Sequence, residues 1–125
     1  FIYFLERHPV HFVTVKELFG RIETAELTAV MSSLLFAELL VPAYRAGDSK
    51  RVQTMVRLLT NFPNMRIIPL SPEISVEAAR LRAVYNMRTP DAIHAATALK
   101  ENADAIITND KGFQRLAEDI AIWLF

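Results

Sequence analysis

Apolar residues recur at two spacings along this chain, and the spacings alternate. Phe12, Val15, Leu18, Phe19 and Ile22 fall three or four positions apart, which predicts a helix over residues 10–22. Residues 27–31, 65–70, 103–108 and 120–124 are short apolar runs bounded by turn formers, which predicts strands. Helices fill the intervals. Residues 1–6 read as the tail of a helix ended by His8-Pro9. Ser32 or Ser33 caps a helix reaching about residue 45. Asp48 caps the next, to about residue 60. Ser71 caps a helix to Tyr85, with Pro72 at its first position. Thr89-Pro90 opens another, to about residue 100, and residues 111–117 form a short one.

Continuous apolar strands alternating with helices predict an α/β fold with a parallel sheet covered on both faces. The 125 residues suffice for one core and carry no repeat or Gly/Ser linker, so residues 1–125 read as a single domain. Ligands in such folds gather at the carboxyl ends of the strands. Three carboxylates answer to that position.

Glu38 is the one ionisable residue between Leu34 and Ala43. A carboxylate buried among apolar neighbours needs a partner or becomes protonated, and a bound cation would be such a partner. The alternative is a narrow exposed stripe running on to Arg45. Pro42 withholds a donor from the Glu38 carbonyl, which predicts a kink at this turn. Asp91 falls in the first turn of the helix opened by Thr89-Pro90, where the helix dipole alone would favour it. Asp110 follows the strand ending at Thr108, where Asn109-Asp110 also serves as turn chemistry. Carboxylates sharing one site need a cation between them, and oxygen-only ligation selects hard ions, Mg²⁺ or Mn²⁺. Such ions support phosphodiester hydrolysis by activating water and stabilising the leaving oxygen.

Composition narrows the picture. Hydrophobic residues make up 52% of the chain, enough for buried sheet and for surface that a partner covers. No apolar run is long enough to span a membrane, and no signal-peptide pattern opens the chain. With no cysteine, disulfides, thiolate catalysis and cysteine-bound zinc are excluded, and a cytoplasmic setting fits. Fourteen basic residues balance 14 acidic ones, which argues against a non-specific nucleic-acid coat but not against local contact with RNA. Arg7, Arg45, Arg88 and Lys111 lie near the ends of the site elements and are the candidates for phosphate contacts.

The chain resembles the PIN domain, and within it the VapC-type toxin ribonucleases. Four segments carry the likeness: Ile2-Tyr3-Phe4-Leu5-Glu6, Ser33-Leu34-Leu35-Phe36-Ala37-Glu38-Leu39, Thr89-Pro90-Asp91-Ala92-Ile93-His94-Ala95-Ala96, and Ile107-Thr108-Asn109-Asp110-Lys111-Gly112-Phe113. The resemblance implies a three-layer α/β/α fold with a mainly parallel central sheet, and Mg²⁺- or Mn²⁺-dependent cleavage of RNA. It places Glu38, Asp91 and Asp110 at acidic positions of the family and Thr108 at its supporting hydroxyl. Asp91 and Asp110 would then help hold metal, and Glu38 would bind metal or the attacking water. A homodimer and an antitoxin protein partner are implied as well. In one respect the chain departs from the family. Members open with a central strand ending in an aspartate, and that strand would lie just upstream of Phe1. Its neighbours would lose ladder partners without it. The expectation is that this first strand and its aspartate are missing from the sequence and the metal site is incomplete. Glu6 reads as a surface residue, not a substitute.

Other residues take structural readings. His8 and His11 belong to a loop, and His94 to packing or the surroundings of the site. Asp104 is a turn residue. Val52, Met55, Val56 and Leu59 form a packing stripe, and Trp123 lies in a core or an interface. Two further functions compete with the ribonuclease: a non-catalytic PIN-like binding module, and an α/β domain forming an aspartyl phosphate at Asp110.

Overall fold

The computed structural model describes residues 12–125. The expected helical tail over residues 1–6, and with it Glu6, Arg7, His8 and His11, lies outside them. The elements follow the predicted order: α1 (Phe12–Glu23), β1 (Ala29–Ser32), α2 (Leu34–Leu39), α3 (Val41–Arg45), α4 (Ser49–Thr60), β2 (Met65–Ile68), α5 (Pro72–Tyr85), α6 (Thr89–Lys100), β3 (Ala105–Thr108), a 3-10 helix (Lys111–Leu116) and β4 (Ala121–Leu124).

Local chemistry explains most boundaries. The Ser32 hydroxyl accepts from the Leu34 amide at 3.1 Å, so Ser32 is the residue that receives an amide at the start of α2. Asp48 accepts from the Arg51 amide at 3.0 Å and starts α4, and Ser71 accepts from the Ile74 amide at 3.2 Å and starts α5. Asn86, at φ 54°, closes α5 in the left-handed conformation that asparagine tolerates. The kink expected from Pro42 divides the helix in two, with Leu40 standing between α2 and α3 and still in the right-handed helical region at φ −85°, ψ −10°.

The chain divides into two compact units. Of the described residues, the first comprises those through Ala29 together with Leu35–Ile67. Its buried side chains include Phe19 and Ile22 of α1, Leu35 and Leu39 of α2, and Val52, Met55 and Leu59 of α4. Val56 of the predicted stripe stays exposed. Phe19 meets Phe62 edge to face, with ring centroids 5.3 Å apart. Asn64, also left-handed, sends its side-chain amide to the carbonyls of Ile22 (3.0 Å) and Glu23 (3.3 Å), serving the carbonyl end of α1.

The second unit comprises Val30–Leu34 and Ile68–Phe125. In it α5 packs along α6. Ile74, Ala78 and Leu81 meet an α6 face of Ala92, Ala95 and Ala96, whose small side chains permit close approach. Phe113, Leu116 and Ile120 complete this core.

The class is α/β and the strands are parallel, as expected. The Ala29 amide bonds the Asn64 carbonyl and the Ser33 amide bonds the Ile68 carbonyl, so β1 and β2 advance in the same direction. β3 pairs parallel with β4, from Ala105 opposite Ala121 to Thr108 opposite Leu124. Among the described residues the strands pair as two ladders, β1–β2 and β3–β4. The β3–β4 ladder is less covered than its sequence suggested: Ile107, Trp123 and Leu124 are exposed, Trp123 to 53%.

Candidate active-site residues

Asp110 is the most firmly placed of the three acids. It follows β3 directly, at the carboxyl end where the strand alternation placed it. The register with β4 fixes that end, and the Phe125 amide adds a bond to the Thr108 carbonyl at 3.2 Å. Thr108 then turns the chain: its hydroxyl accepts from the Asp110 amide at 3.0 Å. The Asp110 carboxylate accepts from the Gly112 amide through Oδ1 at 2.8 Å and caps the 3-10 helix. A Cβ on Gly112 would stand 3.1 Å from that same oxygen. Glycine is therefore the residue that leaves the carboxylate its place. The sequence signal for this role of Gly112 is its position two residues after Asp110.

Asp91 lies in the first turn of α6, with Pro90 opening the helix and Ala92 fully buried behind it. Its side chain is 24% exposed. Arg88 holds the N-cap position but makes no side-chain cap bond. It sends both Nε and Nη2 to Oδ2 of Asp91, each at 3.1 Å. Arg88, a candidate phosphate contact from its sequence position, is thus an ion-paired arginine. His94 is half-buried one turn further on. Lys111 is exposed at the start of the 3-10 helix.

Glu38 belongs to the first unit, near the end of α2. Glu38 is exposed, not enclosed by its apolar neighbours. Leu35 and Leu39 take the buried positions of this short helix, and Ala37 and Glu38 face solvent. The exposed stripe, which continues through Val41, Pro42 and Arg45, is the arrangement observed. Its carboxylate therefore needs no buried counter-ion for stability, and its interest rests on its place in the family motif.

Among the described residues, no three Asp, Glu, His or Cys side chains stand together closely enough to hold a metal ion. The donors themselves suit a hard divalent cation in kind: all are carboxylates, one already pairs with a guanidinium, and one is fixed through a single oxygen.

A further cluster of charged and hydroxyl groups lies where no sequence motif pointed. The Tyr85 hydroxyl donates to Asp119 at 2.8 Å, and Arg80 bridges Glu77 (2.6 Å) and Asp119 (3.3 Å). The Tyr85 bond holds the Asp119 carboxyl below its ordinary range, with Arg80 adding to the effect, and pushes the Tyr85 hydroxyl up in turn. The Glu77 bond chiefly raises Arg80. Arg115 adds bonds to the Tyr85 and Asn86 carbonyls, each at 3.2 Å. This cluster ties the turn after α5 to the segment between the 3-10 helix and β4.

A β3 strand ending in an oriented acid and an α6 helix opening on a second acid belong to one α/β domain with parallel strands. The PIN domain family model matches residues 1–119, and the chain belongs to that family. Among solved structures, VapBC2 from Rickettsia felis, bound to a DNA fragment from its promoter, is similar in fold at a TM-score of 0.69. The identity is 21%, over 97% of this chain and 89% of that one. A toxin–antitoxin complex from Klebsiella pneumoniae matches at a TM-score of 0.53 and 28% identity, over 66% of this chain and 63% of that one. No curated protein matches the chain. No helix among the described residues is long and apolar enough to cross a membrane.

Proposed function

We propose that this chain is a divalent-cation-dependent endoribonuclease and the toxin member of a toxin–antitoxin pair. The observation that carries the reading is membership of the PIN domain family across residues 1–119. The solved structures it resembles include two toxin–antitoxin assemblies, which supports an antitoxin protein as partner. A homodimer and a cytoplasmic setting belong to the same proposal.

Glu38, Asp91 and Asp110 are the proposed metal and catalytic residues. Bound Mg²⁺ or Mn²⁺ would supply an activated water and charge stabilisation at the phosphodiester. Asp110 contributes an oxygen whose direction is set by Gly112 and Thr108. Asp91 contributes a carboxylate held at the mouth of α6. Glu38, exposed on α2, binds the cation or orients the attacking water. Arg45, Arg88 and Lys111 are the proposed phosphate contacts, all three exposed; Arg7, proposed with them, lies outside the described residues.

A second reading is a PIN-like binding module without catalysis. One assay separates the two: Mn²⁺-dependent cleavage of a mixed RNA pool, by this chain and by a version extended upstream of Phe1. Asp91→Asn and Glu38→Gln serve as controls. The nuclease reading expects cleavage that either substitution abolishes. Folded protein that cleaves nothing in either form, yet captures its antitoxin, would establish the binding module.

A further inference from the structure

Arg88 and Asp91 are paired in an unequal way. Both guanidinium donors go to one carboxylate oxygen, Oδ2, at 3.1 Å. The arginine side chain is 80% exposed, whereas the aspartate is 24% exposed and anchored on a helix whose next residue is fully buried. Asp91 is therefore the fixed partner and Arg88 the one able to leave. An ion pair with so exposed an arginine is weak, and its guanidinium is better matched to the paired oxygens of a phosphate than to a single carboxylate oxygen.

We propose that Arg88 is a positioning residue that competes with the divalent cation for Asp91. The inference rests on the reading of Asp91 as a metal ligand. While no cation is bound, the guanidinium neutralises the carboxylate and holds its rotamer. When the carboxylate takes the cation as partner, Arg88 is released to a phosphate oxygen of the RNA. One residue then couples cation loading to substrate capture.

The test is Mn²⁺ binding, read from the electron paramagnetic resonance signal of free Mn²⁺, for folded wild type, Arg88→Gln, Arg88→Lys and Asp91→Asn. Cleavage kinetics at saturating Mn²⁺ follow for the two Arg88 variants. Arg88→Gln is expected to bind Mn²⁺ about two- to fivefold more tightly than wild type, the range an exposed pair supports. Its KM for RNA should rise with kcat little changed, and Arg88→Lys should restore part of the KM. Unchanged or weaker Mn²⁺ binding by Arg88→Gln, with binding lost in Asp91→Asn, would overturn the competition and leave the parent reading intact. Tighter Mn²⁺ binding with an unchanged KM would overturn the coupling to substrate. If Asp91→Asn binds Mn²⁺ as well as wild type, Asp91 is no ligand, and the parent reading and this inference fall together.

Discussion

The Gly112 amide donates to Oδ1 of Asp110 at 2.8 Å, and a Cβ at Gly112 would stand 3.1 Å from that oxygen. The bond and the missing side chain act on one atom. Gly112→Ala forces the carboxylate to give by a few tenths of an ångström, while the 3-10 helix behind it remains anchored by Phe113 and Leu116. The expected outcome is near-native thermal stability with RNA cleavage reduced on the order of threefold to tenfold, since reaction geometry is more sensitive than folding to such a shift. Cleavage and melting curves on the same preparation check it.

Thr108 orients Asp110 from the other side, accepting its amide through the hydroxyl at 3.0 Å. Thr108→Val keeps the shape and removes the acceptor. Because the amide it serves is exposed, the expected destabilisation is only about 0.5 kcal/mol, the low end for a hydrogen bond. Cleavage should fall in Thr108→Val and recover in Thr108→Ser. Equal cleavage by the two variants would show that the hydroxyl sets nothing at the site.

The Tyr85–Asp119 bond gives folding a pH dependence at both ends of the scale. The Asp119 carboxyl sits below its ordinary 3.8 in the folded chain, chiefly through the Tyr85 bond. Its contribution is complete above 3.8 and is lost as pH falls through the lowered folded value. Tyr85 sits above its ordinary 10.0, so its contribution is complete below 10.0 and is lost as pH rises through the raised value. Tyr85→Phe should therefore melt below wild type at neutral pH, with the gap closing in acid and in alkali. A gap independent of pH would remove the ion–hydroxyl bond from the account.

Element order was legible because each helix announces its start locally: Asp48 and Ser71 accept amides three residues on, and Pro72 and Pro90 fit the first turns. Asp91 and Asp110 were legible for the same reason, since each lies at a helix opening or strand end that the pattern locates. Glu38 misled the burial argument. A six-residue helix buries only Leu35 and Leu39, so an apolar neighbourhood in sequence did not enclose its carboxylate. Burial of β3 and β4 was overestimated because an apolar strand reveals its preference for a covered face, not how many ladder neighbours it has. The Tyr85–Asp119 pair, 34 residues apart, has no local signature at all.

The proposed catalytic roles of Glu38, Asp91 and Asp110 are tested most directly by a double-mutant cycle on RNA cleavage. Glu38→Gln and Asp110→Asn are each expected to lower kcat/KM by about a hundredfold or more. If the two carboxylates serve one cation, the doubly substituted chain loses little beyond either single one, as residues acting as a unit do. Losses that multiply in the double variant would contradict a shared site and leave the two acids with separate roles.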